Sequence, residues 1–294
     1  MEDSERFETA IRAIIDGDDE TLRSILAEDR EIVTRKSSAP HGATLLHYIA
    51  ANGVEDEFQK SAANAPEIAR ILLKGGATAD AYLEVRGRKA TTLEMLVSSW
   101  PPFERGVQEQ LVRILVQGGA SVDGPDSDGR PLNTALVFGY TRSAEALAEL
   151  GAKKDNLFVA AGLGDISKVR DWFNGSGDLR DGSLSGYVAI KGGTPHMDPV
   201  AIVQEAFHFA VTHGREEIAT FLMRCGADPN GRVVGHHCEL PLVQALFLQN
   251  LETARWLIAN GANPELQDHK RGMSAIEHVQ RIGPQGARDL VGLQ

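Results

Sequence analysis

The side chains of this 294-residue chain that could do chemistry gather in its later half. His213 ends the apolar run EAFHFAVTHG (205–214), with Asp198 and Glu205 upstream and His196 just before them in TPHMDP. An imidazole beside a carboxylate suits general acid–base work, because the carboxylate orients a ring that exchanges its proton near neutral pH. His213, His196 and Asp198 (or Glu205) could thus drive a cofactor-independent cyclisation, addition or isomerisation of an apolar metabolite. His236-His237-Cys238 add two imidazoles and a thiol, all zinc ligands by type. Their spacing matches no zinc motif, and neighbouring His236 and His237 point apart in an extended segment, so no metal is expected. The chain has no nucleophile elbow, no Walker A sequence and no G-x-G-x-x-G after a strand. Gly75-Gly76 and Gly118-Gly119 read as helix stops rather than phosphate loops, and no cofactor is expected.

The elements that must position these groups are marked by a recurring step. A Gly-Ala pair closes an apolar run in ILLKGGATAD (71–80), RILVQGGASVD (113–123), ALAELGAKKD (146–155), FLMRCGADPN (221–230) and WLIANGANPE (256–265). Each reads as a helix stopped by a glycine in the left-handed C′ position. The helices before the steps, PEIARILL, EQLVRILV, REEIATFLM and LETARWLI, place apolar residues at i, i+3, i+4 and i+7, one buried face each. Partner helices rich in small residues precede several of them: TLLHYIAANG (44–53), NLFVAAGLG (156–164) and EAFHFAVTHG. A unit of about 33 residues repeated along a chain is the signature of stacked repeats.

Composition narrows the function classes. The net charge of −11 argues against non-specific nucleic-acid or anionic-membrane binding, which need positive fields. Two cysteines, Cys225 and Cys238, are too few for a disulfide scaffold and suggest a reducing compartment. MEDSERFETA has no apolar h-region, and no apolar run approaches the ~18 residues of a membrane span. The expectation is a cytoplasmic monomer.

The pattern resembles the ankyrin repeat. Gly42, Thr44-Leu45-Leu46-His47 and Ala50 match the first half of that unit, Gly129 with Pro131-Leu132 and Ala135 match it partly, and Gly226-Ala227-Asp228 match its close. The resemblance implies an all-α solenoid of about seven to eight helix-turn-helix units forming one domain over 1–294. Residues 2–38 would be the N-terminal cap, 39–265 the internal repeats and 266–294 the C-terminal cap. Insertions interrupt the array at 54–66, 99–108 and 174–200, the last a finger insertion. His47 and His208 would tie fingers together through backbone hydrogen bonds. The resemblance also implies protein or peptide binding on a concave face. Positions just before each inner-helix glycine would line it: Val137, Phe138, Leu163, Thr212, His213, Phe247 and Leu248, joined by Tyr187 and His236 from the fingers. A contiguous apolar patch there marks a partner site, or a pocket for an apolar small molecule beneath the 174–200 insertion. Trp100, beside Pro101-Pro102-Phe103, is either a partner anchor or a plug over its own insertion.

Overall fold

Each of the five Gly-Ala steps ends an α-helix through the same backbone closure. The glycines take φ of 104° (Gly76), 101° (Gly119), 99° (Gly151), 102° (Gly226) and 93° (Gly261). The next alanine N–H reaches back to a carbonyl in the last turn: Ala77 to Leu72 at 3.0 Å, Ala120 to Leu115 at 2.9 Å, Ala152 to Leu147 at 3.0 Å, Ala227 to Leu222 at 3.0 Å and Ala262 to Leu257 at 2.9 Å. This is the Schellman closure, which satisfies carbonyls a helix end would otherwise leave unpaired. A Cβ at any of these glycines would meet nothing within 4 Å, so backbone handedness alone selects glycine there.

A second device links one closure to the next. The Asp80 carboxylate accepts the Ser121 N–H at 3.1 Å, Asp123 accepts that of Lys153 at 2.8 Å, and Asn230 accepts that of Asn263 at 2.7 Å. In each case a side chain four residues after one Gly-Ala glycine holds the backbone two residues after the next. The apolar runs quoted above already end on these Asp and Asn residues.

The computed structural model describes residues 3–180, 198–233, 238–283 and 285–292. The chain divides into two compact units. The first comprises Met1–Ala135 and Arg142–Lys153; the second comprises Leu136–Thr141 and Lys154–Gln294.

The first unit opens with α1 (Asp3–Asp16) and α2 (Asp19–Glu28), the latter capped by Asp18, whose carboxylate accepts the Thr21 N–H at 2.9 Å. The segment expected as an inner α-helix at 44–53 is instead a 3₁₀ turn, Leu45–Ala50, ended by Ala51 in the left-handed region at φ 49°. His47 fixes that turn: Nδ1 accepts the Thr44 N–H at 3.0 Å and Nε2 donates to the Ala81 carbonyl at 3.0 Å. Then follow α3 (Ala65–Lys74), a hairpin of β1 (Tyr82–Val85) and β2 (Arg88–Thr91), α4 (Thr92–Leu96), α5 (Trp100–Glu104) and α6 (Gln108–Gln117). Arg86 and Gly87, both at positive φ, make the two-residue hairpin turn. Helix α7 (Arg130–Val137) starts in this unit, and α8 (Thr141–Glu149) contributes most of its residues to it.

The second unit contains α9 (Leu157–Leu163), α10 (Ile166–Asp171), α11 (Pro199–Thr212), α12 (Glu216–Arg224), α13 (Pro241–Phe247), α14 (Leu251–Ala259), strands β3 (Gln267–Asp268) and β4 (Met273–Ser274), α15 (Ala275–Ile282) and α16 (Gln285–Arg288). Helix α11 is buried on every side from Ile202 to Thr212, as its apolar composition requires. Phe207 and Phe209 are fully enclosed there, and the core continues through Leu222, Leu246 and Leu257. The described residues are thus mostly helical, with two short hairpins. Among the described residues no helix is long and apolar enough to cross a membrane.

Candidate functional site

His213 is not on a wetted face. It follows α11, is only 6% exposed, and has both ring nitrogens engaged. The Leu136 carbonyl can only accept, so Nε2 carries the proton and donates to it at 2.9 Å; Nδ1 then accepts from the Thr141 hydroxyl at 2.7 Å. Burial pulls its pKa down to about 4, with the Arg215 charge pushing the same way. Gly162 permits this fit, because a Cβ there would come within 3.3 Å of the His213 ring and 2.8 Å of the Leu136 side chain.

The expected acid–base grouping does not assemble in the described residues. Asp198 is the N-cap of α11, accepting the Val200 N–H at 3.1 Å, and lies in solvent. It and His213 stand at opposite ends of a 14-residue helix, about 20 Å apart at 1.5 Å per residue. Glu205 is buried in the middle of that helix. His196, Tyr187, His236 and His237 lie outside the described residues. Cys238 is fully buried, with Arg271 Nε 3.5 Å from its Sγ, and burial pushes its thiol up to about 11, so a thiolate is disfavoured. Among the described residues no group of three or more His, Cys, Asp or Glu is placed to hold a metal ion.

The apolar positions expected to face a partner are largely covered by the second unit's own residues. Val137 and Thr212 are buried; Phe138, Leu163, Phe247 and Leu248 are half-buried. Leu248 seats against Gly139, where a Cβ would fall 2.6 Å from its Cδ1. Phe138 stacks at 5.7 Å from Tyr140, and the Arg271 guanidinium lies 4.0 Å over the Phe247 ring. Neighbours in space thus fill the face these positions present.

Among the described residues, an exposed aromatic pair lies elsewhere, on the 99–108 segment of the first unit. Trp100 is 49% exposed and Phe103 37%, their rings 5.5 Å apart. Pro101 and Pro102 start α5, positions that need no N–H partner. The helix base is firmly held. Buried Gln108 donates to the carbonyls of Leu96 (2.9 Å) and Ser99 (3.0 Å), and accepts from the Ser143 hydroxyl at 2.7 Å. Arg105 Nε donates to the Ser61 carbonyl at 3.2 Å, so the 54–66 and 99–108 segments meet. Between them and the end of α1 lies a cavity of about 960 Å³, lined by Asp16, Lys60, Ser61, Pro101, Glu104 and Arg105 among others. Trp100 is legible in the sequence as an aromatic beside Pro101-Pro102-Phe103, whereas the cavity forms only when the 54–66 and 99–108 segments, distant in sequence, come together.

The repeat frame is decided by α11, α12 and the Gly226 closure, locked by Gln204, which donates to the Asp228 carbonyl at 2.9 Å and accepts the Asp228 N–H at 2.9 Å. Residues 205–232 match the family model of the ankyrin repeat. The matched segment takes in the end of α11, all of α12 and the turn through Gly226. Its His208 is fully enclosed, and desolvation lowers the ring's pKa to about 3. Ankyrin repeats are protein–protein interaction modules. No curated protein matches the chain.

Proposed function

We propose that the chain is a non-catalytic ankyrin-repeat module that captures a protein or peptide partner. In this reading seven to eight units stack as one solenoid, monomeric and cytoplasmic, and present a concave face for binding. The observation that carries it is the Trp100–Phe103 pair, half in solvent beside a cavity, on a helix held by buried hydrogen bonds. Exposed aromatics on a rigid support are the usual anchors of protein interfaces. Half-buried Phe138, Leu163, Phe247 and Leu248 supply further contact area. The net charge of −11 disfavours nucleic acid and anionic membranes as partners.

The rival reading, a small-molecule enzyme centred on His213, is not favoured by a neutral ring whose two nitrogens are both spent inside the protein. The test is affinity capture with the full chain and with Trp100→Ala, followed by binding measurements on each purified candidate. A partner that binds at least tenfold more weakly to Trp100→Ala is expected. If every purified partner binds both forms equally, Trp100 is not the anchor. If only small molecules are retained, the binding-module reading fails.

A further inference from the structure

Three half-buried or exposed aromatic rings of this protein carry a cation of its own. Lys89 Nζ stands 5.8 Å over Tyr82, the Arg170 guanidinium 5.8 Å over Phe221 and that of Arg271 4.0 Å over Phe247. Trp100 is the most exposed aromatic among the described residues, and indole is the best ring for a cation. Yet among the described residues no cation lies over it. The groups around it are suited to a cation brought from outside. Glu104 is exposed on the same short helix, Asp16 is exposed where it lines the same adjoining cavity, and neither carboxylate has a hydrogen bond or ion pair among the described residues. The cavity's two cations, Lys60 and Arg105, also line it; Arg105 is turned toward Ser61 by its Nε hydrogen bond.

We infer that the Trp100 face docks an arginine-bearing peptide segment of a partner protein. The guanidinium stacks on the Trp100 indole and pairs with the Glu104 carboxylate, while the following residues of the peptide enter the cavity toward Asp16. Arginine is the committed cation because its planar group stacks on an aromatic face and offers paired donors to a carboxylate at once, which an ammonium does not. The excess of acid over base in the chain steers such a segment inward. The inference rests on the binding-module reading and names the chemistry of its partner.

The test uses the full chain and a phage-displayed library of random heptapeptides. Sequences retained by the wild type and lost on Trp100→Ala are read out. Arginine is expected to be enriched in that set about threefold over lysine. A synthetic peptide from the set is expected to bind about fivefold more weakly when its arginine is replaced by neutral citrulline, and about threefold more weakly to Glu104→Gln. Trp100→Phe, which keeps a ring, should bind between wild type and Trp100→Ala, and serves if the alanine variant misfolds. Trp100-dependent sequences with no arginine enrichment overturn this inference and leave the docking function standing. No Trp100-dependent sequence at all overturns both.

Discussion

Acid should unfold this protein well above the pH at which its carboxylates titrate. Desolvation holds His47 and His213 at about 4 and His208 at about 3, against roughly 6.5 in an unfolded chain. Between those values the unfolded state binds more protons than the folded one, so stability falls as pH falls. It is intact above pH ~7, declines from there to the folded values, and levels off below them. At about 1.4 kcal/mol per pH unit, each imidazole removes about 2 kcal/mol by pH 5. His208 and His213 share the second unit, which therefore loses about 4 kcal/mol, a large part of a typical stability of ~5–15 kcal/mol. Asp18 and Glu277, whose carboxyls hydrogen bonds hold below their ordinary range, add losses only at more acidic pH. Urea unfolding at pH 7.5, 6 and 5, extrapolated to zero denaturant, measures this. His213→Gln should be less stable than wild type at pH 7.5, through a strained or lost hydrogen bond, yet lose only about 2 kcal/mol in the second unit by pH 5. An unfolding midpoint that stays flat from pH 7.5 to 5, or a glutamine variant with the full parental slope, would refute the reasoning.

Outcomes for four further substitutions are expected. Gly226→Ala should cost about 1 kcal/mol, the left-handed backbone penalty less a gain from the stiffer unfolded chain. Gly139→Ala should cost more than 2 kcal/mol, because it adds a collision with Leu248 to the same penalty; equal melting temperatures for the two variants would contradict this. Asp268 is fully buried and accepts the N–H groups of Glu239 (2.7 Å), Leu240 (2.9 Å) and Arg271 (3.0 Å), so Asp268→Ala should lose about 3 kcal/mol in denaturant titration. Ser274→Ala breaks a capping box with Glu277 and should cost about 1 kcal/mol, with faster amide exchange confined to the start of α15.

What could be read from the sequence was what the backbone dictates locally. A left-handed glycine after an apolar run leaves few alternatives, and all five helix ends formed as expected. The 3₁₀ turn at Leu45–Ala50 is not legible in the sequence because its terminator is Ala51, a residue that rarely adopts positive φ and so gives no signal. The positions before the inner glycines could be located but not their exposure. That depends on side chains distant in sequence, such as Leu136 and Thr141 on His213, or Arg271 on Phe247. Pairing His213 with Asp198 failed for a geometric reason the sequence did contain. A single, mostly apolar stretch without a Gly or an internal Pro joins them, and a helix of that length holds its ends apart. The Asp and Asn clasps between closures were visible as a position in each run, but their function needs the neighbouring turn in place.

The glycines of this chain fall into two kinds, and the difference bears on how such a protein can change. Gly139 and Gly162 are lock-and-key joints: each is fitted to a particular side chain, so altering one requires altering its mate. The five closure glycines touch nothing where a side chain would be. They are standard couplings, specified by two or three residues of local sequence and indifferent to what stands beside them. A stretch bounded by such couplings can be duplicated, lengthened or replaced without rewriting the joint. The segment 99–108, which carries Trp100, lies in such a stretch, between the couplings at Gly76 and Gly119.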